Sequence, residues 1–140
     1  MILNYKTIGN GYAPLRQHKE DAGFDLSAPV VFGIHAQSYM TLMLEVCVEI
    51  PKGYVGLILG RSSRNRNGVN VLTGVIDAGY TGQLGGTLFN ANSNAVRFSA
   101  GERIDQLVIG KIADVEDTKE HETLDSNSER GNNGFGSTGV

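Results

Sequence analysis

The 140-residue chain has one cysteine, Cys47, so no disulfide can form within it. That fits a reducing compartment. Long hydrophobic runs are missing too, and no segment approaches the ~20 apolar residues needed to span a bilayer. The N-terminal Met1-Ile2-Leu3-Asn4-Tyr5-Lys6 has no extended apolar stretch of the secretory kind. An intracellular protein without membrane contact is expected. An excess of either charge is absent as well. The formal net charge is −3, so bulk electrostatics give no reason to expect a nucleic-acid polymer as partner. A charged small molecule remains open, because a local basic site needs only a few residues. The histidines, His18, His35 and His121, are scattered with no metal-ligand spacing and read as surface or structural residues. Finally, no window of a dozen residues repeats apolar residues at i, i+3, i+4 and i+7, which excludes a helical bundle.

Glycine is abundant, at 19 of 140 residues, about twice the ~7% typical of proteins. So much glycine points to turns, bulges and close backbone approaches. The clearest periodicity is Leu42, Leu44, Val46, Val48 and Ile50, alternating with Met43, Glu45, Cys47 and Glu49. A period of two is a half-buried strand, here ended by Pro51 and the turn at Lys52-Gly53. Further strands are predicted at Tyr54 to Leu59, Gln83 to Asn90, Ala95 to Ala100 and Ile104 to Ile112. The polar run Ser62 to Gly68 has room for one helical turn. Many short strands with turns every ~8–12 residues suggest an all-β sandwich or barrel with at most one short helix. Residues 1–113 read as the folded domain. From Asp114 the chain turns acidic and polar, and residues 114–140 read as a connector with a mobile glycine-rich tail.

Five segments carry chemistry: Asp21-Ala22-Gly23-Phe24-Asp25-Leu26, Gly60-Arg61-Ser62-Ser63, Gly74-Val75-Ile76-Asp77-Ala78-Gly79-Tyr80-Thr81-Gly82, Gly101-Glu102-Arg103-Ile104-Asp105-Gln106-Leu107, and the tail from Arg130 to Gly139. Together they contain the parts of a nucleoside triphosphate site. Asp25 and Asp77 could hold a hydrated metal or activate water. Arg61, Arg103 and Arg130 could neutralise phosphates through directed hydrogen bonds. Arg103 suits an inter-strand or inter-subunit salt bridge equally well. Ser62, Ser137, Thr138 and backbone N–H groups exposed at glycines could bind phosphate oxygens. The tail Gly136-Ser137-Thr138-Gly139 has no lysine before its serine and no helix to follow, so it is not a Walker motif. A tail with an arginine, an aromatic ring and Ser-Thr could instead close over a nucleotide.

In order, and over nearly the whole chain, these segments resemble the five motifs of the trimeric dUTPase family. Gly-Val-Ile-Asp-x-x-Tyr-x-Gly with a terminal Arg-Gly-x-x-Gly-Phe-Gly-Ser-Thr-Gly is a specific combination. The resemblance implies a jelly-roll-like β-barrel, a homotrimer whose active sites are shared between subunits, and Mg²⁺-dependent hydrolysis of dUTP to dUMP and pyrophosphate. That reaction keeps uracil out of DNA and supplies dUMP for dTMP synthesis. It also implies roles. Asp77 would activate the attacking water, and Ser62 would bond the oxygen bridging the α and β phosphates. Tyr80 would pack on the deoxyribose and exclude a 2′-hydroxyl. The hairpin from about Val71 through Gly74, Val75 and Ile76 to Tyr80 would read uracil through backbone groups. Arg61, Ser63 and Gln106 would belong to the phosphate-binding set. Asp25 would hold water ligands of Mg²⁺. In the tail, Phe135 and Gly136 would cover the uracil, while Arg130, Ser137 and Thr138 would clamp the γ-phosphate.

The chain departs from that pattern at Asp105, where a small residue is usual, and in the basic Arg64 and Arg66. An unpaired buried carboxylate would be unfavourable, so Asp105 is expected to be exposed or paired, for instance with Arg103. Cys47 falls on the more polar face of its strand and suits packing better than reactivity. Two rival readings differ in class. dCTP deaminases share the implied fold and a similar Arg-Ser-Ser segment, but their chemistry needs a glutamate where this chain has Thr87. A non-catalytic nucleotide-sensing or protein-binding trimer would be expected to lose Asp77 or the tail, and both are present.

Overall fold

Alternation along the longest apolar segment is what the chain folds around. In the computed structural model, which describes residues 1–122, the chain runs β1 (Asn4–Thr7), β2 (Gly23–Ser27), β3 (Phe32–Ile34), β4 (Ser38–Glu49), β5 (Tyr54–Gly60), α1 (Ser62–Arg66), β6 (Val69–Leu72), β7 (Gly74–Ile76), β8 (Gln83–Asn90), β9 (Val96–Phe98) and β10 (Arg103–Lys111). In β4 the inward residues Leu42, Leu44, Val46 and Val48 are buried, and Ile50 follows them into the core. Leu84 and Leu88 of β8 meet them, with Leu26, Ile58 and Leu107 from the opposite sheet. Each such leucine or isoleucine contributes roughly 1.5–3 kcal/mol on burial.

Every strand pair is antiparallel. The sheets have the orders β1-β4-β8-β6, β2-β10-β5-β7 and β3-β9. The all-β class and the one short helix match the sequence expectation, but the strands do not close into a single barrel. Closure requires the edge strands to pair. β6 and β7, separated only by Thr73, enter different sheets, and β1 is exposed along its whole length with β4 as its one neighbour among the described residues. The expected hairpin from Val71 to Tyr80 is therefore a crossing: β6 pairs with β8, and β7 pairs with β5.

A bulge in β4 interrupts the register between Met43 and Cys47. At its centre Glu45 has a φ of 53°, a left-handed conformation uncommon outside glycine. The surrounding loop holds it there: Ile8 N donates to Glu45 O (2.8 Å), and Asn10 N donates to its carboxylate (2.6 Å). At the other end of the sheet, buried Asn90 donates through Nδ2 to the carbonyls of Ile34, His35 and Asn94 at 3.2, 3.1 and 2.8 Å. A stacked pair, Phe32 and Phe98, joins β3 to β9 with ring centroids 4.7 Å apart. The last strand ends at Lys111. Residues 112–122 are exposed and contain no strand or helix, and the tail residues Arg130, Phe135, Gly136, Ser137 and Thr138 lie outside the described residues.

Candidate active site

Three strands of the second sheet bring the first, second and fourth motifs together. β10 lies between β2 and β5, so Gln106 stands opposite Asp25 on one side and Leu59 on the other. Beyond Gly60 the chain leaves β5 through Arg61 into Ser62 and Ser63 at the start of α1. The result is a polar cleft of about 380 Å³ containing Asp25, Arg61, Ser62, Ser63, Arg103 and Gln106. A larger, mainly apolar groove of about 570 Å³ lies elsewhere, between β1, the end of β4 and the turn at Thr81–Gln83. The polar cleft is the one with groups able to bind and polarise a charged substrate.

Charge organises the cleft. Arg61 Nε is 2.7 Å from Asp25 Oδ1, and Arg103 Nη1 is 2.9 Å from Asp25 Oδ2. Two guanidinium groups share one carboxylate, which leaves one positive charge uncompensated within that trio. Such a group attracts an anion while Asp25 keeps the arginines from separating. Behind them, Arg64 donates to the Arg103 carbonyl from Nε (3.1 Å) and Nη2 (3.0 Å), and pairs with Glu102 at 2.7 Å. Arg61 Nη1 reaches the same carbonyl at 3.3 Å. Gln106 Nε2 donates to Gly60 O at 3.1 Å, tying β10 to the end of β5. The Ser62 and Ser63 side chains are exposed in the cleft.

The third motif lies apart from this cleft within the single chain. Asp77 and Tyr80 are exposed on the turn that follows β7. Tyr80 N donates to Asp77 O (3.2 Å), and the Tyr80 hydroxyl donates to Gln83 O (2.9 Å). Gly79 closes the turn with a φ of 91°, open to glycine and strained for other residues. Val75 is exposed beside it, while Gly74 and Ile76 are half-buried against β5.

Several residues in or behind the cleft escaped sequence reasoning. Gln17 accepts from Arg103 Nη1 (3.4 Å), and His18, read as a bystander, lines the mouth beside Asp21. Arg64 had no assigned place, yet it holds the Arg103 carbonyl and Glu102 behind the cleft. Nothing in the local pattern points to these residues, because long-range pairing sets their positions. Asp105 departs most from expectation: it is neither exposed nor paired with Arg103 but wholly buried. Thr87, where a deaminase would need a glutamate, is bonded to Thr41 Oγ1 at 2.9 Å and offers no carboxylate.

No group of three acidic, histidine or cysteine side chains among the described residues is arranged to hold a metal by itself. The cleft does fit a hydrated Mg²⁺ arriving with a polyphosphate, since such ions take one or two carboxylates plus substrate oxygens. Two carboxylates line the cleft, Asp21 and Asp25, and both oxygens of Asp25 are paired with arginines.

The dUTPase family model matches residues 10–139. The chain belongs to the dUTPase family. A deoxyuridine 5′-triphosphate nucleotidohydrolase of Corynebacterium diphtheriae is 39% identical over 131 residues, covering 91% of this chain and 85% of that one. The dUTPase of Staphylococcus bacteriophage 80alpha, solved with dUPNHPP, superposes with a TM-score of 0.91 at 34% identity, covering 99% of each chain. A mutant dUTPase from phage phi11 of S. aureus, described with a structural Mg(II) ion, superposes with a TM-score of 0.82 at 27% identity, covering 89% of this chain and 99% of that one. No helix among the described residues is long and apolar enough to cross a membrane.

Proposed function

We propose that this dUTPase-family chain hydrolyses dUTP to dUMP and pyrophosphate, with the polar cleft taking the triphosphate and the Asp77 turn supplying the base. The carrying observation is the trio of Asp25, Arg61 and Arg103, two guanidinium groups held on one half-buried carboxylate in a cleft flanked by two serine hydroxyls. Arg61, Ser63 and Gln106 hold phosphate oxygens. Ser62 donates to the oxygen between the α and β phosphates, where leaving-group charge develops. Asp77 accepts a proton from water at its carboxylate as the water oxygen bonds the α-phosphorus and the bond to the bridging oxygen breaks. Mg²⁺, when bound through water to Asp25, would offset charge on the triphosphate.

Selectivity falls to the crossing between the sheets. Backbone groups from Val71 through Gly74, Val75 and Ile76 read uracil, and the Tyr80 ring leaves no room for a ribose 2′-hydroxyl. In residues 114–140, the connector carries the tail to a neighbouring subunit. There Phe135 and Gly136 cover the base, and Arg130, Ser137 and Thr138 grip the γ-phosphate. A homotrimer with shared sites brings the Asp77 turn of one subunit to the cleft of another. Two observations support assembly. Asp77 is not among the cleft residues of its own chain. The outward face of β4 and β8 presents Tyr39 (64% exposed) and Met43 (47% exposed), with Tyr39 packed on Phe89, an apolar patch of the kind that marks an interface. The reaction removes dUTP before it can enter DNA and yields dUMP for dTMP synthesis.

The test is pyrophosphate release from dUTP with Mg²⁺, beside dTTP, dCTP and UTP, in the wild type and Asp77→Asn. Turnover of dUTP alone, lost in the variant, is expected. A folded wild type that leaves dUTP intact would overturn the reading, and equal turnover of UTP would overturn the role of Tyr80.

A further inference from the structure

β10 breaks its own alternation where it enters the sheet. The register against β2 shifts between Arg103 and Asp105, so Ile104 and Asp105 both turn inward and both are fully buried. Bulges beside active sites commonly re-aim a side chain in this way. Here the side chain is a carboxylate. It lies between the two large sheets over Gly86 of β8, where an added Cβ would collide with Oδ2. Glycine at 86 therefore leaves the space that the Asp105 carboxyl fills.

Among the described residues nothing around it balances a charge. Neither carboxyl oxygen has a hydrogen-bond partner in another described residue. β8 has no titratable side chain, and the only one on β5, Tyr54, is at its far end. β2 turns Leu26 inward and commits Asp25 to Arg61 and Arg103. β4 faces inward with Leu42 and Leu44, while its acids are engaged outside: Glu45 with Asn10 and Glu49 with Asn4. The nearest cations in sequence and fold, Arg103, Arg61 and Arg64, are all committed on the cleft side. On β10 itself the remaining charge, Lys111, is at the opposite end. Burial pushes the Asp105 carboxyl up to about 7, its own backbone N–H offsetting this a little. A neutral carboxyl packs in such a place, whereas an unpaired anion is strongly disfavoured.

The bulge links Asp105 to the cleft. The carbonyl of Arg103, two residues before Asp105, accepts from both Arg61 and Arg64, and Gln106, the residue after it, holds Gly60. We propose that Asp105 is a proton-dependent positioning residue. With its proton, it packs over Gly86 and keeps the bulge closed; without it, the bulge opens and the arginines lose their seat. The effect on substrate rests on the phosphate-binding reading given above, whereas the effect on the fold does not.

The sign follows from linkage. The folded-state value lies above the ordinary 3.8 of an aspartate, so the stability is fully present below about 3.8, is lost progressively as pH rises from there to about 7, and is level above that. The experiment follows urea unfolding and the KM for dUTP from pH 5.5 to 8.5 in the wild type and Asp105→Asn. A ¹³C NMR titration of the Asp105 carboxyl in the wild type needs no variant at all. The wild type should lose stability from pH 5.5 to about 7 and then level off, while its KM rises several-fold between pH 6 and 8 with a smaller change in kcat. Asp105→Asn should hold both nearly level across that window. A carboxyl that titrates in the ordinary range, or parallel profiles for the two proteins, would overturn the proposal. A stability change with a level KM would overturn the positioning role. Absence of dUTP turnover would instead contradict the functional reading, with unfolding and NMR still deciding the state of Asp105.

Discussion

The cleft and the Asp77 turn differ in how firmly the chain holds them. In the cleft, three neighbouring strands fix Asp25, Arg103 and Gln106 by ladder pairing, and ion pairs of 2.7 and 2.9 Å lock the arginines. At the turn, Asp77 and Tyr80 are exposed, and their recorded partners lie within a few residues. On the proposed function, groups that hold a flexible triphosphate would gain from this preorganisation, because an arginine pair left free would move apart. On the same proposal, a residue that completes a site on a neighbouring subunit would have to protrude. The same contrast separates what each region should lose on mutation: the turn should lose chemistry with little stability, and the cleft should lose both.

The largest effect should come from Asp77→Asn. Removing a general base typically lowers kcat by roughly 10²–10⁴-fold, and the exposed position predicts an unchanged melting temperature. Steady-state kinetics beside calorimetry check both halves. Asp25→Ala should be next. It leaves two guanidinium groups facing each other in a half-buried cleft, and a loss of about 1–3 kcal/mol is expected after allowing for partial exposure. Denaturant unfolding reads that loss, with a raised KM beside it. Arg64→Ala removes donors to Arg103 O and the pair with Glu102, at about 1–2 kcal/mol. Its KM should rise although Arg64 is not among the cleft residues. The smallest effect belongs to Tyr80→Phe, which drops one exposed hydrogen bond to Gln83 O, at under about 1 kcal/mol. Rejection of UTP should survive in Tyr80→Phe and fail in Tyr80→Ala, as the kcat/KM ratio of dUTP to UTP would report.

Legibility in the sequence followed the range of the forces involved. β4 and β8 were readable because alternation is local, and β8 spans Gln83–Asn90 as read. β1, β2 and β3 escaped because they are short and exist by distant pairing: Asn4 with Glu49, Gly23 with Val108, Phe32 with Phe98. Motif order named the candidate site residues; the strands bring Asp25, Arg61, Ser62, Ser63 and Gln106 to one cleft, and Val71, Gly74, Val75, Ile76, Asp77 and Tyr80 lie outside it. Arg103, open to a salt bridge or a phosphate, makes an ion pair with Asp25 inside that cleft. Asp105 was misread because a bulge, invisible in local pattern, turned it into the core, and because the compensating Gly86 lies on another sheet.

The most direct measurement mixes two inactive variants, Asp77→Asn and Arg61→Ala, refolds them together and follows pyrophosphate release from dUTP. If the turn of one subunit serves the cleft of another, random assortment in the oligomer rebuilds about a quarter of the sites, and activity returns to that fraction of wild type. If cleft and turn of the same chain formed the site, every mixed oligomer would remain inactive, and that result would contradict the account.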